Sequence, residues 1–281
     1  MGKHALLVNG SYLPTVGGVE NSIRSIAAEL VKVRGSLSKK IKYASNVFIQ
    51  IVSFNISKLK YVFSPTMEDQ VCSVSIFNKS VKKIYPGVDD TRFYKLDRKL
   101  KNNLKLAWDL IISLFLVLDT GGQKNFEHLI KCVPYLPCDY KVVLVGGGDN
   151  LTVYKKIIGE LNLINRVFIF ESTLEPEKFY QIADVFCLTS TYEPFGQVLI
   201  EASFCGLNIV AFDSDLKGID TATNSIFIHD CDFYFPVSSF ELSDFAKEII
   251  NAVTCNRSSL CQNEFNKQNN WKALIERLSI D

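Results

Sequence analysis

EPFGQVLIEA, Glu193 to Ala202, is the most informative run of the chain. The apolar run VFCL (Val185 to Leu188) leads into the polar turn TSTYEPFG, and QVLIEASF then has a helix-compatible pattern. This predicts a strand, a tight turn and a helix start. Gly196 stands where backbone can approach a ligand closely. The first helical turn points N–H groups and a partial positive charge at the same spot, which suits an anion such as a diphosphate. Glu193 precedes the helix and Glu201 lies in its second turn. Electrostatics disfavours carboxylates beside an anion site, so their expected work is to hold hydroxyl groups.

Glu, seven residues, Glu, with Phe-Gly after the first acid and Ala after the second, resembles the E-x7-E motif of family 4 glycosyltransferases. These are retaining enzymes of GT-B fold. The resemblance implies that Glu193 touches the donor sugar and Glu201 the ribose. It also implies that Phe195, Gly196 and Gln197 offer backbone donors to the sugar and the phosphates. Without it, the same residues read as a helix entry carrying two surface acids.

Outward from this motif the chain alternates. IISLFLVL, KVVLV, RVFIF, DVFCL and NIVAF read as strands; KNFEHLIKCVPYL, LTVYKKIIGELNL, PEKFYQIA and QVLIEASF read as helices. Repeated βα units predict a parallel, doubly wound sheet with its ligand at the carboxyl ends of the strands. Near the start, HALLVNGSYLPTVGGVENSIRSIAAELVKVRG reads as strand, glycine loop and helix. Its Pro14, Gly17, Gly18 and Glu20 resemble the family's N-terminal glycine loop, which faces the donor phosphates. KKIYPGVDDTRF (Lys82 to Phe93) resembles the run that closes the family's first domain.

The expected organisation is therefore α/β and GT-B-like, with two Rossmann-like parallel-sheet domains, the N-terminal one reduced. Residues 1–93 form that acceptor-side domain, 94–106 a linker, 107–255 the nucleotide-sugar domain, and 256–281 helices crossing back. A βαβ unit takes roughly 30 residues, so the first domain has room for about three strands. There SLSKKIKYASNVFIQIVSFNISKLK replaces the middle of the family's acceptor domain, and the family's histidine has no counterpart. In LVLDTGGQKNF, Lys124 matches the lysine that neutralises the donor diphosphate, but the usual upstream arginine is missing. The later family glutamate is absent too, and LKGIDTA offers Gly218 and Asp220 instead.

GGGDN (Gly146 to Asn150) lacks the third glycine of a dinucleotide fingerprint. The resemblance places its Gly147 and Gly148 beside the nucleotide. Asp213-Ser-Asp215 forms a DxD string, more often a solvated turn than a metal site, so no metal is expected. His128 reads as structural.

Composition bounds the rest. With 281 residues, 47% hydrophobic and 22% charged, the chain reads as a soluble globular protein. Its eight cysteines show no CxxC pair, which suits buried reduced thiols. Leu106 to Leu118 is apolar but short of the roughly 20 residues of a membrane span. The net charge of +1 conceals a division: residues 1–105 carry 18 Lys/Arg against 7 Asp/Glu, and the remainder 13 against 23. A basic first part suits an anionic partner, whether a membrane surface (residues 32–105), a lipid-diphosphate acceptor or nucleic acid, or else a solvated face, and no RNA-binding or helix-turn-helix signature accompanies it.

The expectation is a cytoplasmic glycosyltransferase, peripheral on the inner face of the membrane. It moves a sugar from a UDP- or GDP-sugar to a glycan or lipid-linked acceptor, with no cofactor. The alternatives are a non-catalytic nucleotide-sugar-binding protein of the same fold and a sugar-nucleotide epimerase.

Overall fold

The computed structural model describes residues 61–62, 81–83, 87–107, 114–119, 125–146, 150–171, 173–193, 196–227, 231–255 and 260–279. The chain divides into two units, Met1–Ile84 and Tyr85–Asp281. In the first, β1 (Tyr61–Val62) pairs in parallel with β2 (Lys82–Lys83). Parallel pairing needs a crossover connection, as the expected architecture requires.

The second unit is built on six strands: β3 (Leu114–Asp119), β4 (Lys141–Gly146), β5 (Val167–Phe170), β6 (Val185–Leu188), β8 (Asn208–Phe212) and β10 (Tyr234–Val237). Their order across the sheet is β10-β8-β6-β3-β4-β5, every neighbouring pair parallel. Counted along the chain this is the doubly wound 3-2-1-4-5-6 order, whose direction reverses between β3 and β6. A separate two-residue pair, β7 (Tyr192–Glu193) with β9 (Asp220–Thr221), stands beyond the carboxyl end of β6.

Alternation along the strands makes two cores. Val142, Leu144, Val185, Cys187, Val210 and Phe212 lie on one face, under helices α2 (Phe126–Cys132), α3 (Leu151–Glu160) and α7 (Leu242–Thr254). Val143, Val145, Phe186, Leu188, Ile209 and Ala211 lie on the other, under α4 (Glu177–Ile182), α5 (Gln197–Phe204) and α6 (Thr223–Ile226). Successive side chains of a strand point to opposite faces, and strands covered on both are continuously apolar, as VFCL and NIVAF are. Each fully buried Val, Leu, Ile or Phe contributes about 1.5–3 kcal/mol.

His128 packs edge-on against Phe212 and Phe245 at 5.0 and 5.4 Å, in keeping with a structural role. The thiols are mixed: Cys132, Cys187 and Cys205 are buried, whereas Cys138 and Cys255 are exposed. No described helix is long and apolar enough to cross a membrane.

The boundary falls earlier than the sequence suggested. Val88 and Phe93 belong to the core of the second unit, and Val88 donates its N–H to the Asn269 carbonyl at 3.1 Å. The expected linker is largely helix α1 (Arg98–Ala107). Its Lys101 and Lys105 both reach Asp184, just before β6, the Lys101 contact at 3.0 Å. Burial raises the Asp184 carboxyl, but the two ammonium groups hold it below its ordinary value, while burial lowers Lys101. Arg92 pairs with Glu177 at 2.7 Å. Three cations of the basic first part thus serve the fold. Asp184→Ala leaves two lysines without their counter-charge and is expected to lower stability by on the order of 3 kcal/mol in urea unfolding. A loss below about 1 kcal/mol would contradict that reading.

At the C-terminus, α8 (Leu260–Gln268) and α9 (Trp271–Ser279) follow α7. Their described contacts lie inside the second unit. Gln262 donates to the Leu207 carbonyl at 2.8 Å, and Ser203 to Asn266 at 2.8 Å.

Candidate active site

Thr189 and Ser190 continue β6 at the point where the strand order reverses, and both are fully buried. Three residues on, β7 ends with Glu193, only 8% exposed. β9 holds this segment from one side: Asp220 N–H donates to the Thr191 carbonyl at 2.8 Å, and Ala222 N–H to the Glu193 carbonyl at 2.9 Å. The Glu193 carboxylate reaches forward and accepts the Gly196 N–H at 3.2 Å.

Gly196 turns the chain into α5 with φ 63°, a left-handed conformation that favours glycine. A Cβ there would lie 2.2 Å from Ile226 Cδ1, so the position excludes a side chain twice over. Because the Gly196 amide is committed to Glu193, it is not the free donor the sequence suggested. Gln197 and Val198 open the helix, where their N–H groups have no intrahelical acceptor.

Glu201 sits one turn into α5. Gln197 Nε2 approaches its Oε1 at 3.4 Å, the i,i+4 neighbour relation, and the Gly87 carbonyl at 3.3 Å. The buried Tyr180 hydroxyl donates to Glu201 Oε2 at 3.1 Å. Burial pushes the Glu201 carboxyl up to about 7, against the opposing pull of Tyr180, Gln197 and Arg92. Glu201 therefore changes charge near neutral pH. A raised carboxylate pKa means the folded state holds the proton more tightly than the unfolded one. Its contribution to stability is thus greatest below about pH 4.5 and is lost as the pH rises through 7.

The first acid of the DxD string is engaged by the protein. Asp213 accepts from the Asp215 N–H at 2.9 Å, Asn224 Nδ2 at 2.6 Å and Ser238 Oγ at 3.2 Å. Among the described residues no three His, Cys, Asp or Glu side chains gather as a metal site would need.

Of the expected site residues, the structure brings Glu193, Gly196, Gln197 and Glu201 together. Gly17, Gly18, Lys124, Gly147, Gly148 and Phe195 lie outside the described residues. Sequence reasoning missed Tyr180, which sits in an ordinary amphipathic helix with no motif to mark it. It also missed Ser214, Thr221 and Thr223, visible only as a scatter of small hydroxyls in DSDLKGIDTATN.

Residues 114–221 match the family profile described as glycosyl transferases group 1. An uncharacterised glycosyltransferase of Methanocaldococcus jannaschii is 31% identical over 160 residues, covering 52% of this chain and 40% of that protein. The N-acetylgalactosamine-N,N'-diacetylbacillosaminyl-diphospho-undecaprenol 4-alpha-N-acetylgalactosaminyltransferase of Campylobacter jejuni is 30% identical over 147 residues, 52% of this chain and 39% of its own. The matches thus span about two fifths of these relatives' length. Among solved structures, Anabaena HepE in complex with UDP and glucose superposes with a TM-score of 0.68 at 20% identity, over 84% of this chain and 67% of its own. Sheet order, helix start and superposition agree on a GT-B fold, and within it residues 114–221 are similar to the group 1 glycosyltransferases.

Proposed function

We propose that the chain is a retaining, metal-independent glycosyltransferase that takes a UDP- or GDP-sugar and passes the sugar to a glycan or lipid-linked acceptor. The observation that carries this reading is the pair Glu193 and Glu201 flanking the start of α5 at the strand-order reversal, one bound to the turn and one to Tyr180. As the bond between sugar and diphosphate breaks, negative charge grows on the diphosphate. The first amides of α5, fixed by the helix, stabilise it, with Lys124 in the role the resemblance gives it. Glu193 positions the sugar and Glu201 accepts the ribose hydroxyls. Gly17, Gly18, Gly147, Gly148 and Phe195 keep their donor-side assignments from the resemblance.

The Anabaena structure's UDP and glucose support a nucleotide-sugar donor. The Campylobacter relative's diphospho-undecaprenol substrate supports a lipid-linked acceptor, and with it peripheral attachment to the inner membrane face through basic residues among 32–105. A thermal-shift panel of UDP- and GDP-sugars, followed by transfer assays with and without chelator, tests the reading. Stabilisation by one sugar nucleotide and chelator-resistant transfer are expected. Silence across the panel would sink it, and binding without turnover would favour the non-catalytic alternative.

Glu201 makes a second test. If only its ionised form accepts the ribose, a pKa of about 7 raises UDP-glucose affinity roughly tenfold between pH 6 and pH 8. UDP-glucose suits this because its diphosphate does not titrate in that range. Glu201→Gln is expected to flatten the profile. An unchanged slope in that variant would remove Glu201 from the ribose.

A further inference from the structure

β7 and β9 are two residues each, and a strand pair that short does not hold itself in place. Something must fix β9 before β9 can fix Glu193. Three hydroxyls stand where they can do so. Thr221 Oγ1 lies 2.8 Å from Thr223 Oγ1, Thr223 Oγ1 lies 2.6 Å from Ser214 Oγ, and Ser214 Oγ donates to the Thr221 carbonyl at 3.0 Å. Each hydroxyl has one proton to give. Donation from Thr221 to Thr223, from Thr223 to Ser214 and from Ser214 to the Thr221 carbonyl uses all three. The chain of bonds starts and ends on the residue paired with Glu193.

The ring is tied to the main sheet. Ser214 follows β8 by two residues and also receives the Asn224 N–H at 3.1 Å. Asn224, next to Thr223, also donates its side-chain Nδ2 to Asp213, which follows β8 directly, at 2.6 Å. Thr221 and Thr223 are 7% and 0% exposed, so water cannot replace a lost member cheaply. On the far side, Ala222 both donates its N–H to Glu193 and, with Ile226, closes the space over Gly196.

We propose that Ser214, Thr221 and Thr223 are positioning residues for Glu193: their hydroxyl ring transmits the placement of β8 to the sugar-contacting carboxylate. The proposal rests on the assignment of Glu193 to the donor sugar, and its test separates the two. Thr223→Val keeps the side-chain shape and removes the hydroxyl; Thr223→Ser keeps the hydroxyl. Two readouts apply to the whole chain: amide exchange at Ala222 and Gly196, and affinities for UDP and UDP-glucose.

Thr223→Val is expected to speed exchange at both amides about tenfold. It should weaken UDP-glucose by a similar factor while leaving UDP within about twofold, and Thr223→Ser should restore both. Ser214→Ala, at a half-buried position, breaks the same ring and should reproduce the pattern if Thr223→Val folds poorly. Unchanged exchange in either folded variant would overturn the proposal. So would equal losses of UDP and UDP-glucose, the mark of general loosening. If the wild type binds neither ligand, the donor assignment fails, while the exchange data still decide whether the ring holds Glu193.

Discussion

Replacing Glu193 by alanine is expected to lower turnover of the nucleotide-sugar donor roughly 100-fold or more, the scale of losing one preorganised polar group in an active site. The side chain has two tasks, and the experiment must separate them. One is to brace the turn by accepting the Gly196 N–H at 3.2 Å. The other, under the proposed function, is to hold the sugar. Glu193→Gln keeps an oxygen for the amide and loses the charge, so it should retain the fold and lose most of the turnover. Glu193→Ala should lose turnover and a little stability as well. Both variants are checked by thermal unfolding before assay. Wild-type turnover in a folded Glu193→Gln protein would remove the charge from the mechanism.

Gly196→Ala is the second large effect. Holding a non-glycine residue at φ 63° costs about 1–2 kcal/mol. A new methyl 2.2 Å from Ile226 Cδ1, inside a closed core, adds about 1–3 kcal/mol of overpacking. The turn between Glu193 and α5 would shift, so donor binding should fall with stability. Ile226→Val removes the clashing methyl and by itself costs about 0.5–1.5 kcal/mol. Combined with Gly196→Ala it should be less damaging than the sum of the two, because it relieves the packing share and leaves the backbone share. Strict additivity in urea unfolding would show that the two residues do not meet.

The doubly wound sheet was legible in the sequence because its central strands are covered on both faces and must be apolar throughout. VFCL and NIVAF leave no other reading between helices with polar faces. Glu193, Gly196 and Glu201 were legible for a different reason: a carboxylate, a left-handed turn and a helix start have to follow one another at short spacing. What was not legible depends on contacts between distant segments. Helix α1 is polar by composition and looked like a linker, yet Lys101 and Lys105 are drawn in by Asp184, some eighty residues later. Tyr180 approaches Glu201 from another helix, and β9 finds β7 across twenty-eight residues. The commitment of the Gly196 amide to Glu193 is likewise a matter of rotamer and turn geometry, which no spacing reveals.

Under the proposed function, the second unit holds a nucleotide sugar at the start of α5, with Glu201 on the ribose. Calorimetric titration of UDP-glucose and a GDP-sugar into the wild-type chain and into Glu201→Ala tests it most directly. One site for one of these donors is expected, with a loss of roughly tenfold or more in the variant, from a lost charged hydrogen bond of about 1.5–3 kcal/mol. No heat from either donor, or equal affinity in wild type and variant, would contradict it.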